Sequence, residues 1–61
     1  GNGTMVALSA DTKEAVDKFY TTALENGATD EGKPGLRSDE NYYGYIRDLD
    51  GNKITARFLV N

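Results

Sequence analysis

The sequence from residue 42 to residue 54 is YYGYIRDLDGNKI, and this stretch decides the fold. Tyr42–Arg47 is rich in aromatic and β-branched residues, which favours a strand. The Asp-Gly pair at residues 50–51 tolerates the positive φ of a tight turn, so we expect the chain to return as a strand over Lys53–Val60. Alternation along the returning strand assigns side chains to its two faces: Ile54, Ala56 and Phe58 to one, and Lys53, Thr55 and Arg57 to the other.

An amphipathic helix is expected earlier in the chain, over Asp11–Asn26. Asp11 is the predicted N-cap, and Glu14 follows three residues later in a capping-box pattern. Gly27 is the predicted stop, because glycine adopts the left-handed conformation that ends helices. One apolar stripe repeats with the helical period: Ala15, Val16, Phe19, Tyr20, Ala23 and Leu24. In so short a chain this stripe can pack only on a sheet.

The remaining segments complete an α+β pattern. Thr4–Ser9 is a predicted strand, with Val6 and Leu8 on one face; Met5, Ala7 and Ser9 lie on the other. Ala28–Leu36 contains two glycines and the only proline, so we expect a loop with room for a short strand, and Arg37–Asn41 is a predicted polar loop. The order is strand, helix, then two or three antiparallel strands, with the helix covering one sheet face.

Length and composition exclude several classes of protein. The chain has 61 residues, no Cys, no His and a formal charge of −3, which indicates one small domain over residues 1–61 and excludes disulfides, thiolate metal sites and Ser-His or Cys-His triads. The charge argues against nucleic acid as a partner, and no apolar run approaches the roughly 18 residues of a membrane span. The absence of Cys and of a signal peptide favours a cytoplasmic location. Domains this small often need a partner subunit for stability.

The candidate ligand-contacting residues come from the strand tyrosines and from two arginines. Tyr42, Tyr43 and Tyr45 must divide between the two faces of their strand, so at least one packs under the helix and at least one faces the open side. There a phenol can stack on a ligand or pack in a dimer. Arg37 and Arg57 can bind an anion bidentately or lie solvated at the surface.

Three stretches together resemble the vicinal oxygen chelate superfamily, the glyoxalase/bleomycin-resistance/extradiol-dioxygenase group. They are EAVDKFY at residues 14–20, ALENGATDEGKPGLR at residues 23–37 and the hairpin at residues 42–54, whose Asp-x-Asp-Gly-Asn-x-Ile pattern is the most typical mark. The resemblance covers nearly the whole chain. It implies a βαβββ module, of which the complete proteins usually have two per chain, and this sequence resembles the second module alone. Paired modules form a curved sheet that cups the site.

The same resemblance implies where a metal would be held. In metal-dependent members the ligands come from the first and last strands of each module, often a His on the first and a Glu directly after the hairpin Ile on the last. The corresponding residues here are Met5 and Thr55. Neither side chain suits Zn²⁺, Ni²⁺ or Fe²⁺. We therefore expect no metal site, no cofactor and no catalytic residue within this chain.

Three functions are compatible with the sequence. The first is a metal-free module that pairs with another module, in a homodimer or otherwise, and holds a small organic ligand against Met5, Tyr43, Tyr45, Thr55 and Arg57. The second is part of a glyoxalase-like lyase or isomerase, whose metal ligands come from another module. The third is a dimerising fragment without a binding role.

Overall fold

The computed structural model describes residues 5–60, which form one helix and one four-stranded mixed sheet. In chain order the elements are β1 (Met5–Ser9), α1 (Lys13–Glu25), β2 (Thr29–Leu36), β3 (Tyr42–Arg47) and β4 (Lys53–Phe58). The strand order across the sheet is β1-β4-β3-β2. Strand β1 runs parallel to β4, and the other neighbours are antiparallel. The predicted βαβββ arrangement is confirmed; Thr4, which the prediction included in the first strand, lies outside the described residues.

The N-cap of the helix lies one residue later than the sequence predicted, and the helix itself begins at Lys13. Thr12, and not Asp11, is the N-cap: its backbone is extended, and its Oγ1 accepts a hydrogen bond of 3.0 Å from the amide of Ala15. The prediction of Asp11 as the N-cap is therefore wrong. The N-cap is the residue directly before the first helical residue, and the helix begins at Lys13.

The predicted helix stop at Gly27 is confirmed. Gly27 has φ +99°, the conformation that glycine adopts without a steric penalty. Its amide donates to the carbonyl of Leu24, and the amide of Ala28 donates to the carbonyl of Ala23. These two hydrogen bonds form a Schellman motif, which satisfies the last carbonyls of the helix.

The core lies where α1 crosses the centre of the sheet. Its buried apolar side chains are Val16, Tyr20, Ile46 and Ala56. The helix can approach β3 because Gly44 has no side chain: a Cβ there would lie 3.2 Å from Cγ1 of Val16 and 3.3 Å from Cγ of Pro34. The predicted apolar stripe is otherwise observed, but Ala15 is exposed, because it lies at the edge of the stripe turned away from the sheet.

Two strands have different bounds from the predicted ones. Residues 29–36 form an eight-residue strand where a loop was expected. The turn-forming residues of this segment make its pairing with β3 irregular: the register shifts on both sides of Gly32. Pro34 is tolerated because β2 is an edge strand, where a missing amide donor breaks no essential ladder. Strand β4 ends at Phe58, before the predicted Val60, whose amide instead donates to Oδ1 of Asn41.

Asp48 organises the turn between β3 and β4. Its carboxylate accepts hydrogen bonds from the amides of Asp50 (2.9 Å) and Asn52 (2.8 Å), and its backbone pairs with Asn52 and Gly51. The donation from the Asn52 amide, with further help from the Asn52 side chain and the Asp50 amide, holds the pKa of Asp48 below its usual value. The turn predicted from the sequence is thus fixed mainly by one side chain.

We expect Asp48→Ala to lower the stability of the fold at neutral pH. A carboxyl group with a lowered native-state pKa stabilises the fold above its ordinary pKa of about 4, and that contribution is lost as the pH falls through the lowered value. The urea midpoint of the variant should therefore lie below that of the parent at about pH 7 and approach it at about pH 2. Asp11→Ala, which removes an exposed carboxylate outside the turn, is the control. An unchanged midpoint for Asp48→Ala at neutral pH would refute this role.

Candidate functional site

The sheet face opposite α1 carries all five residues that the sequence proposed as ligand contacts. Tyr42, Gly44 and Ile46 of β3 face the helix: Tyr42 donates a 2.6 Å hydrogen bond to Asp17 of α1, and Ile46 is 2% exposed. The intervening residues of β3 and their partners on β4 and β1 therefore occupy the other face. We call this surface the open face; its predicted members are Met5, Tyr43, Tyr45, Thr55 and Arg57.

Strand register arranges the open face as rows across the sheet. The middle row contains Ala7, Thr55, Tyr45 and Gly32. The next row contains Ser9, Arg57, Tyr43 and Gly35, and the opposite row contains Met5, Lys53 and Arg47. In the middle row the two residues on the β1 side, Ala7 and Thr55, are small. The rows on either side of it contain the longer basic side chains, Arg57 in one and Lys53 and Arg47 in the other. Within residues 5–60 this surface is open, without an enclosed cavity.

The aromatic part of the open face is a pair of parallel tyrosines. The rings of Tyr43 and Tyr45 lie 5.9 Å apart between centroids, with 12° between their planes. The hydroxyl of Tyr43 donates to Oδ2 of Asp39 at 2.5 Å, which raises the pKa of Tyr43 and lowers that of Asp39. The hydrogen bond fixes the orientation of the Tyr43 phenol, whose ring is stacked on that of Tyr45, so the pair is a preorganised aromatic contact.

Basic side chains surround the tyrosine pair. The guanidinium of Arg37 lies 5.5 Å from the ring centroid of Tyr45, and the ammonium of Lys53 lies 5.3 Å from it, both within cation–π range. Arg47 is paired: it donates to Glu31 at 3.1 Å and to the carbonyl of Gly51 at 2.6 Å. The sequence analysis missed the contribution of Lys53 and Arg47, although strand alternation already placed Lys53 beside Thr55.

Arg57 differs from the other basic residues of the open face. Its Nε is buried and, within residues 5–60, has no hydrogen-bond partner. A buried donor without an acceptor is unfavourable, because its hydrogen bond to water is lost on folding and no hydrogen bond within the protein replaces it. Arg57 is the cross-strand partner of Tyr43 and lies beside Ser9 of β1.

The two residues that the sequence resemblance assigns to metal-ligand positions do not suit a metal ion. Thr55 is 2% exposed, and its hydroxyl donates to the carbonyl of Gly44 at 3.0 Å, so the hydroxyl is held inside the sheet and is a neutral, buried group. Met5 offers a thioether on a half-exposed edge strand, whereas zinc in proteins is bound by Cys, His, Asp and Glu. Across residues 5–60 no group of three or more His, Cys, Asp or Glu side chains is placed to hold a metal.

Strand β1 is an edge strand with apolar side chains in solvent. Met5, Val6 and Leu8 are each 44–50% exposed, and among the described residues, 5–60, β1 has a single neighbouring strand, β4. A natural sheet rarely leaves an apolar edge uncovered, because unpaired backbone groups invite another strand. The open face is continuous with this edge through Met5 and Ala7.

No protein-family model and no curated protein matches this sequence. Several solved structures do match it. The chain is 42% identical to a glyoxalase/bleomycin resistance protein from Albidiferax ferrireducens T118, with a TM-score of 0.85, covering 95% of this chain and 48% of that one. It is 28% identical to a glyoxalase/bleomycin resistance protein/dioxygenase family enzyme from Burkholderia phytofirmans PsJN, with a TM-score of 0.88, covering 98% and 47%. A hypothetical protein from S. aureus is 26% identical, with a TM-score of 0.86, covering 95% and 50%.

These relatives agree with the topology and with the sequence motifs. The chain spans about half the length of the solved structures that it matches, as expected for one module. The single helix in residues 5–60 is neither long nor apolar enough to cross a membrane. With its βαβββ order, its Asp-x-Asp-Gly-Asn-x-Ile hairpin and these relatives, the chain belongs to the vicinal oxygen chelate superfamily, in the glyoxalase/bleomycin-resistance/dioxygenase group, as a single βαβββ module.

Proposed function

We propose that this chain is a metal-free binding module whose open face holds a small organic ligand. The observation that carries the proposal is the open face itself: two parallel tyrosines beside Arg57, with the family's last-strand metal position occupied by a buried threonine. Aromatic surface with a few oriented polar groups is the usual composition of small-molecule sites. Thr55 would contact the ligand through its small side chain, which lies between Tyr45 and Ala7 on the open face, since its hydroxyl proton is donated to the Gly44 carbonyl.

We further propose that a second module completes the site. One open face is a shallow surface, whereas ligand sites generally enclose most of their ligand. The half-exposed apolar edge at β1 supports pairing there, through a second copy of this chain or another module. The roughly twofold length of the structural relatives supports the same arrangement.

The predicted cytoplasmic location stays a prediction that rests on the absence of cysteine.

Metal content is the test of the metal-free proposal. After dialysis against Zn²⁺ or Ni²⁺ and removal of excess ion, elemental analysis should find far less than one metal per chain. The double variant Met5→His, Thr55→Glu supplies an imidazole and a carboxylate at the two family positions, which are ligands that both ions accept. We expect this variant to retain metal in its paired form, which makes it the positive control.

Stoichiometric metal in the unmodified chain would contradict the proposal. It would favour the alternative of a lyase or isomerase centre that draws its remaining ligands from a partner module. The fold of both proteins should be checked by circular dichroism, so that loss of structure is not taken for loss of metal.

A further inference from the structure

The open face is basic, although the chain as a whole is acidic. The chain has a formal charge of −3, yet four of its basic side chains belong to or border this face: Arg37, Arg47, Lys53 and Arg57. Two carboxylates also lie at this face: Glu31 pairs with Arg47, and Asp39 accepts a hydrogen bond from the hydroxyl of Tyr43. A face with one sign of charge concentrates ligands of the opposite sign.

The available donors of this cluster lie on β4, on either side of Thr55. Arg47 is already neutralised by Glu31, and Arg37 donates to the carbonyl of Lys33 at 3.0 Å. Lys53 contacts the ring of Tyr45, which leaves its ammonium protons free to donate elsewhere. Arg57 has a buried Nε without an acceptor. Of its guanidinium nitrogens, only Nε is buried without a partner among the described residues, so a planar anionic group would be held by the Nη groups, which can donate two parallel hydrogen bonds.

The tyrosine pair adds a second requirement. The rings of Tyr43 and Tyr45 are nearly parallel, and Tyr43 is the direct cross-strand partner of Arg57. An aromatic ring that packs against the outer side of Tyr43 would lie beside the Arg57 side chain on the neighbouring strand. We propose, resting on the proposed function of the open face, that its ligand is an organic anion with an aromatic ring, held by packing against the tyrosine pair and by pairing with Arg57.

Three probes of one shape and different charge test the proposal: naphthoate, the neutral naphthamide and the cationic naphthamidine. Each is titrated into the full chain, in the assembly that it forms in solution, and followed by amide NMR chemical shifts. We expect naphthoate to shift residues of β3 and β4 around Tyr43 and Arg57. It should bind at least about tenfold more tightly than naphthamide, as expected for hydrogen bonds to a charged group. Naphthamidine should bind most weakly.

A pair of charge-matched variants locates the anion contact. Arg57→Gln should weaken naphthoate about tenfold or more and weaken naphthamide much less, because naphthamide has no charge to pair with the guanidinium. Lys18→Gln removes the same charge from an exposed position on α1 and should leave both affinities unchanged. The probe series on the unmodified chain decides the question even if Arg57→Gln folds poorly.

The outcomes separate this inference from the function on which it rests. Equal binding of naphthoate and naphthamide on the open face would overturn the preference for anions and leave the binding function standing. Preferred binding of naphthamidine would overturn it in the same way. If no probe shifts the open face, or if the shifts fall on α1, the proposed binding function fails together with the inference.

Discussion

Replacing Gly44 with valine is expected to lower the free energy of unfolding by about 1–3 kcal/mol, the usual cost of overpacking a core. A Cβ at this position already lies 3.2 Å from Val16 and 3.3 Å from Pro34, and valine adds two methyl groups beyond it. Neither neighbour can withdraw easily, since one is on the buried face of α1 and the other is a proline ring. Because a domain of this size is only marginally stable, this loss is a large fraction of its free energy of unfolding.

Urea denaturation followed by circular dichroism measures this effect. Gly35→Ala is the matched control, because a Cβ there meets Nη1 of Arg37 at 3.5 Å and the Lys33 carbonyl at 4.0 Å, which are ordinary contacts. The control should lie close to the parent. A Gly44→Val variant as stable as the control would show that α1 does not pack against the centre of the sheet as described.

The second large effect is expected at the β1 edge. If two modules pair there, Val6→Lys should weaken the dimer at least about tenfold, because burial of a valine side chain contributes about 1.5–3 kcal/mol. Lysine on an edge strand also opposes strand pairing directly. Val6 is 47% exposed in the single module, so its substitution should affect association more than folding.

Sedimentation velocity across a range of concentrations measures the association. Leu49→Lys is the control: Leu49 is 80% exposed at the β3–β4 turn, away from β1, and its substitution introduces the same lysine. A parent chain that stays monomeric at every concentration would contradict pairing between copies. Equal effects of the two variants would contradict the β1 edge as the interface.

The elements with strong local signals were predictable from the sequence. The Asp-Gly turn is determined by Asp48 and the positive φ of Gly51, and the helix end by Gly27, so short-range chemistry alone specifies them. Strand β2 was missed because its glycines and proline are local turn signals. The segment nevertheless pairs with β3, because shifts in the strand register accommodate the glycines and the edge position accommodates the proline. The N-cap was misplaced by one residue because Asp11 and Thr12 are both good capping residues.

The candidate site was predictable only as a set of residues on one face. Strand alternation suffices to bring Tyr43, Tyr45, Thr55 and Arg57 together. It does not indicate that Thr55 is buried with its hydroxyl bound to Gly44. Nor does it indicate that Arg37, from the loop after β2, reaches the ring of Tyr45. Those contacts depend on side-chain packing across strands, which periodicity cannot specify.

The most direct test of the central claim is ligand binding with and without metal. Naphthoate and naphthamide should be titrated into the chain first in EDTA and then in excess Zn²⁺, with amide chemical shifts recorded for β3 and β4. We predict the same shifted residues around Tyr43, Tyr45 and Arg57 and the same affinities in both conditions. Binding of either compound that appears only with Zn²⁺ would contradict a metal-free site, and the absence of shifts on the open face in both conditions would contradict the site itself.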